Sequence, residues 1–166
     1  MTLGLSLETF TIVHVVISLI GILSGFVVVF GLVGGKRFDG MTALFLTTTV
    51  LTSITGFMFP FEKVTPGIKL GIISLVVLAI TIAALYAFHL AGPWRTIYAV
   101  GATLALYLNV FVLVVQAFEK VPALHALAPT GSEPAFLVAQ LVVLAAFLAL
   151  GIFATIRFRH AAAHPA

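Results

Sequence analysis

Residues 70–94 read LGIISLVVLAITIAALYAFHLAGPW, a run of 25 residues without one Asp, Glu, Lys or Arg. A bilayer core is crossed by about 20 apolar residues in a helix rising 1.5 Å per residue. In hydrocarbon every backbone N–H and C=O has to be paired within the segment, so such a run is read as a helix. Four further runs share this character: 9–35, 40–61, 96–118 and 134–156. The 8 Lys and Arg and the 5 Asp and Glu all fall between these runs or at their edges. The expectation is an all-α, polytopic membrane protein, a single domain over 1–166 built as a bundle of five transmembrane helices.

Composition agrees. The chain is 62% hydrophobic and 8% charged, against about 25% charged for a soluble domain. The formal charge of +3 rests on few groups, and the positive-inside rule alone makes a membrane protein basic. Nucleic-acid binding is not read from it. Cysteine is absent, which removes disulfides, thiolate metal sites and thiol catalysis. No Lys or Arg precedes the first apolar run, and that run exceeds the h-region of a signal peptide. It is expected to stay as a transmembrane helix.

Loop charges set the orientation. With the N-terminus outside, the cytoplasmic side collects Lys36, Arg37, Arg95, Arg157 and Arg159, and the outer side Lys63, Lys69 and Lys120. That bias places the C-terminus in the cytoplasm. Gly34-Gly35, Pro60, Pro66-Gly67 and Gly92-Pro93 punctuate the helices. The long connection 119–133 would lie outside, as a lid or a plain cap.

Polar residues inside the spans carry the functional question. His14, Ser18, Gly21 and Gly25 share one face of the first helix. Tyr98, Gly101, Ala105, Asn109 and Gln116 share one of the fourth, and Gln140, Phe147, Gly151 and Thr155 one of the fifth. The second carries Thr47, Thr48, Thr49, Thr52, Ser53 and Thr55. Packing explains much of this, because small residues bring helices close and hydroxyls and amides cross-link them. Depth adds a hint of a site. His14 and Gln140 lie roughly 9 Å below the outer helix ends by the rise per residue, level with Thr52, Ser53, Thr55 and Ser74, with Gln116 just above and Asn109 below. The candidate partners of His14 at that depth are Gln140 and Gln116, or alternatively a haem iron or quinone oxygen.

Two functional readings follow. In the first, an outer-leaflet pocket of His14, Thr52, Asn109, Gln116 and Gln140, joined by His125 from the 119–133 lid, binds a small hydrophobic ligand or cofactor: a quinone, haem or a lipid-like molecule. In the alternative, the protein is a non-catalytic structural or assembly subunit, and the partner is another membrane protein or a second copy. Haem held by both His14 and His89 fails on geometry, since their depths differ by about 20 Å at 1.5 Å per residue. Haem on His14 alone, or on His14 with His125, stays open. A metal at the outer face would draw on His14 and His125, with Glu62 and Glu119 nearby. No triad, phosphate loop or dinucleotide fingerprint is present, and no acid–base pair names a reaction.

The run His14-Val15-Val16-Ile17-Ser18-Leu19-Ile20-Gly21, the turn Gly34-Gly35-Lys36-Arg37-Phe38-Asp39-Gly40 and the loop Lys120 to Pro134 resemble a family of small, uncharacterised bacterial inner-membrane proteins. The resemblance implies a bacterial cytoplasmic membrane and carries no activity, cofactor or residue role.

Overall fold

The computed structural model describes residue 4 and residues 6–60 and 65–163. Every regular element among them is helical. Helix α1 spans Leu7–Val33, α2 Asp39–Gly56, α3 Pro66–Ile82, α4 Trp94–Lys120, α5 Pro122–Leu127 and α6 Pro134–Ala163. α3 continues into a π-helical turn over Ala83–Ala87. Four of these are long and apolar enough to cross a membrane: α1, α3 with its π turn, α4, and α6. The described residues thus form an all-helical bundle with the helix lengths and apolarity of a membrane protein. α2 is the exception, 18 residues rich in hydroxyls that falls short of the others in apolarity.

Local chemistry sets the ends. Ser6 caps α1, its hydroxyl accepting the Thr9 amide at 3.1 Å, and Thr65 caps α3 by accepting from Ile68 at 3.3 Å, with Pro66 in the first turn. Such caps satisfy amides that the first turn leaves unpaired. At the far end of α1, Gly35 takes φ 72°. The left-handed backbone suits glycine, and it closes the helix.

α3 departs most from its expected span. The charge-free run reaches Trp94, yet the helix ends at Ala87, and His89 and Leu90 follow at φ 49° and 59°. Pro93 disfavours helix in the residue before it, and Phe88 stacks on Trp94 at 3.8 Å between ring centroids, holding the turn folded back. The connection 119–133 also differs. α4 runs on to Lys120, and Pro122 opens the short α5, which packs on α4.

α4 is the central helix, in contact with α1, α3, α5 and α6. Its Tyr98, Ala99, Ala102, Ala105 and Leu106 are wholly buried. Small residues set these contacts. A Cβ on Gly25 of α1 would lie 2.7 Å from Leu106 and 2.8 Å from Phe45. A Cβ on Gly101 of α4 would lie 2.1 Å from the Thr81 hydroxyl of α3. α2 packs on α1 and α3, and α6 closes the bundle against α4 and α1. α6 is the least enclosed of the four long apolar helices, with 11% of its most apolar stretch buried against 50% for α4.

Successive long helices, α2 included, alternate in direction, so the bundle has two chemically different ends. The His14 end holds the starts of α1, α3 and α6 and the finishes of α2 and α4. The opposite end holds Lys36, Arg37, Arg95, Arg157 and Arg159, five of the 8 basic side chains, with one acid, Asp39. It is called the basic end below. Glu62 and Lys63, which entered the sequence reading at the His14 end, lie outside the described residues.

Candidate functional site

At the His14 end the polar side chains of different helices meet in pairs. His14 of α1 uses Nδ1 to hydrogen-bond the Thr55 hydroxyl of α2 at 2.7 Å. Asn109 of α4 donates from Nδ2 to the Thr49 hydroxyl of α2 at 3.2 Å. The Ser53 hydroxyl of α2 and that of Ser74 in α3 meet at 3.3 Å. The imidazole packs edge-on to Phe59, 5.2 Å between centroids. α2 thus sits at the centre of a polar belt that joins it to α1, α3 and α4.

Several hydroxyls of α2 also bond their own helix. Thr48, Thr52, Ser53 and Thr55 each donate to the carbonyl four residues back, at 2.7, 2.9, 3.0 and 2.7 Å. Back-bonding of this kind pairs a hydroxyl that would otherwise stand open in an apolar place. It lets a hydroxyl-rich helix lie among apolar ones.

The six residues singled out from the sequence are placed differently from one another. His14 and Asn109 join the belt, but with Thr55 and Thr49 as partners. Neither candidate glutamine partner of His14 reaches it. Thr52 turns to its own backbone. Gln116 is exposed and donates to Glu119 at 3.2 Å. His125 is exposed on α5. Gln140 of α6 is buried, and its Nε2 donates to the Phe111 carbonyl of α4 at 3.2 Å. Among the described residues none of the six bonds another. Gln140 Oε1 is buried with no partner there, as is the Thr155 hydroxyl. No three His, Cys, Asp or Glu side chains among the described residues are grouped to hold a metal ion.

Beyond the belt, the 121–133 segment is ordered by its own residues. Glu133 accepts from the Thr130 amide and hydroxyl at 3.0 and 2.8 Å and from the Ser132 amide at 3.0 Å. Desolvation pushes its carboxyl up, but these hydrogen bonds outweigh that and hold it below the usual carboxylate range. Phe118 of α4 meets Phe136 of α6 edge-on at 5.4 Å, and Ala128 is buried beneath the turn.

The basic end holds features that the reading of polar stripes passed over. Arg95 donates from Nε to the Phe158 carbonyl at 2.7 Å, and its guanidinium lies 3.8 Å from the centre of the Phe158 ring. α4 and α6 are clamped there. Tyr98 and Thr42 share a buried hydroxyl contact of 3.3 Å between α4 and α2. Arg37 pairs with Asp39, the one ion pair among the described residues. A cavity of about 390 Å³ opens between Arg37, Asp39, Thr42, Leu85, Tyr86 and His89, beside the left-handed His89–Leu90 turn. A second, of about 540 Å³, is an apolar groove on α1 and the following turn. The signal for this end was the charge bias of the loops, used above only for orientation.

Comparison with protein-family models, with curated proteins and with solved structures finds no match.

Proposed function

We propose that this is a non-catalytic structural or assembly protein of a bacterial cytoplasmic membrane, a five-span bundle with its N-terminus outside and its C-terminus in the cytoplasm. The observation that supports it is the polar belt at the His14 end. Its side chains answer one another across helices, His14 to Thr55, Asn109 to Thr49, Ser53 to Ser74, as fasteners do. The basic end would face the cytoplasm by the positive-inside rule. α2, back-bonded through its hydroxyls, would be the fifth span: 18 residues rise about 27 Å, close to a hydrocarbon core. The partner would be another membrane protein or a second copy, and α6, the least enclosed span, offers the face for it.

One observation favours the second reading, a small hydrophobic ligand at the same end. Gln140 Oε1 is a buried acceptor without a donor among the described residues, and such an atom fits a ligand hydroxyl, as in a quinol or a lipid. A site there would be built on Gln140 and Phe111 rather than on His14.

Substitutions in the belt and at Gln140 separate the readings. Under the structural reading His14→Ala lowers the thermal midpoint. A double cycle with Thr55→Val returns a coupling of about 0.6 kcal/mol, the usual size for such bonds in a membrane. Gln140→Leu then leaves the lipid extract unchanged. Absorption spectra and extracts of the gently purified protein supply the other arm. A quinone or haem that co-purifies with the parent and is lost in Gln140→Leu, the bundle staying folded, overturns the structural reading.

A further inference from the structure

The groove at the basic end has the composition of a site for one amphipathic molecule. It is lined by Phe26, Val27, Phe30, Gly31, Gly34, Lys36 and Phe38. All but one of these are apolar or glycine, and the exception, Lys36, stands where the groove meets the turn after α1. Phe38 forms a wall by folding back over the helix. A Cβ on Gly31 would lie 2.9 Å from its ring, so only glycine leaves that ring its place. Phe26 and Phe30 stack at 6.0 Å along the floor. Aromatic rings one helical turn apart make a strip aligned with the helix axis.

The charge at the rim is unbalanced. Five basic side chains gather at this end against Asp39 alone, and Asp39 already pairs with Arg37. The turn carrying Lys36 abuts the C-terminal part of α6, where a Cβ on Gly35 would lie 3.2 Å from Ala161 and 3.7 Å from the Arg157 carbonyl. Lys36 and Arg157 are both exposed. Among the described residues no other acid stands at this rim, so a negative group from outside them would complement it. In a membrane, the group that offers an acyl chain to an aromatic strip and a negative charge to a basic rim is an anionic phospholipid.

We propose that the groove between Phe30 and Phe38 is a binding site for a single phospholipid with an anionic headgroup. One acyl chain lies along Phe26, Phe30 and Phe38, and the phosphate sits at Lys36. Bulk lipid around any basic helix end is the competing source, and headgroup selectivity at one residue distinguishes them. This inference does not depend on the role assigned above.

The test is native mass spectrometry of the whole protein in mild detergent, titrated separately with phosphatidylglycerol and phosphatidylcholine. One tightly held phosphatidylglycerol is expected, with weaker retention of phosphatidylcholine. Lys36→Gln should reduce phosphatidylglycerol retention about fivefold, the effect of one basic side chain near an anionic surface. Lys69→Gln, at the opposite end, should not. Phe38→Ala should weaken both lipids by removing the wall. Equal retention of the two headgroups overturns the site, and so does a Lys36→Gln protein that binds like the parent. Equal losses in Lys36→Gln and Lys69→Gln would reduce the effect to general charge and overturn it as well.

Discussion

Gly101 shows how little room the helix contacts leave. It faces Thr81, which is wholly buried and donates to its own Val77 carbonyl at 2.7 Å. A methyl group at position 101 would fall 2.1 Å from that hydroxyl. Something has to move, and overpacking a close contact costs about 1–3 kcal/mol. Gly101→Ala is therefore expected to lower the thermal midpoint, and Thr81→Ala in the same chain to restore much of the loss. A double variant as unstable as Gly101→Ala alone would show that the glycine matters for some reason other than this contact. Gly25, against Leu106 and Phe45, faces larger but more adaptable side chains.

The turn between α5 and α6 is held by one carboxylate. Glu133 gathers the Thr130 and Ser132 amides just before Pro134 starts the helix. Its folded pKa lies below the ordinary value. The linkage sign follows: the stabilisation is present in full above the ordinary carboxylate pKa and is lost as pH falls through the depressed folded one. Amide-exchange protection of Thr130 and Ser132 is expected at neutral pH and is expected to disappear on strong acidification. In Glu133→Gln protection is low at every pH, and the pH dependence flattens. Undiminished protection in that variant would assign the order of the turn to Phe118, Ala128 and Phe136 instead. The π turn at the end of α3 shows a different control, since there Phe88 on Trp94 and the left-handed His89–Leu90 pair stop a helix that its apolar sequence would allow to continue.

At the level of the bundle the two ends differ in kind. One is a belt of paired polar groups, the other a basic rim with a cavity and a groove. The proposed orientation rests on the rim, and under it a reporter fused to Ala166 is expected to be active in the cytoplasm and silent outside. Activity from the external side would reverse the proposed topology. Activity on the same side from fusions just before and just after α2 would remove α2 from the count of spans.

The four long apolar helices α1, α3, α4 and α6 were legible in the residues because hydrocarbon forces each segment to pair its own backbone, whereas α2 falls short of them in apolarity and the short α5 gave no such signal. Depth was legible for a related reason. The rise per residue is constant, and it put His14, Ser53, Thr55 and Ser74 at one level, where His14–Thr55 and Ser53–Ser74 do pair. Rotation about the helix axis was not legible. Which neighbour a side chain meets depends on how glycine and alanine faces seat the helices, such as Gly25 on Leu106 and Gly101 on Thr81. That seating turned His14 toward Thr55 instead of Gln140, and left Gln140 on Phe111 with an open oxygen. Nor was the end of α3 at Ala87 legible, since it depends on the stack of Phe88 on Trp94 across the turn. Partner choice belongs to tertiary packing because a helical sequence specifies heights along an axis, while the azimuth is set only when the other helices are in place.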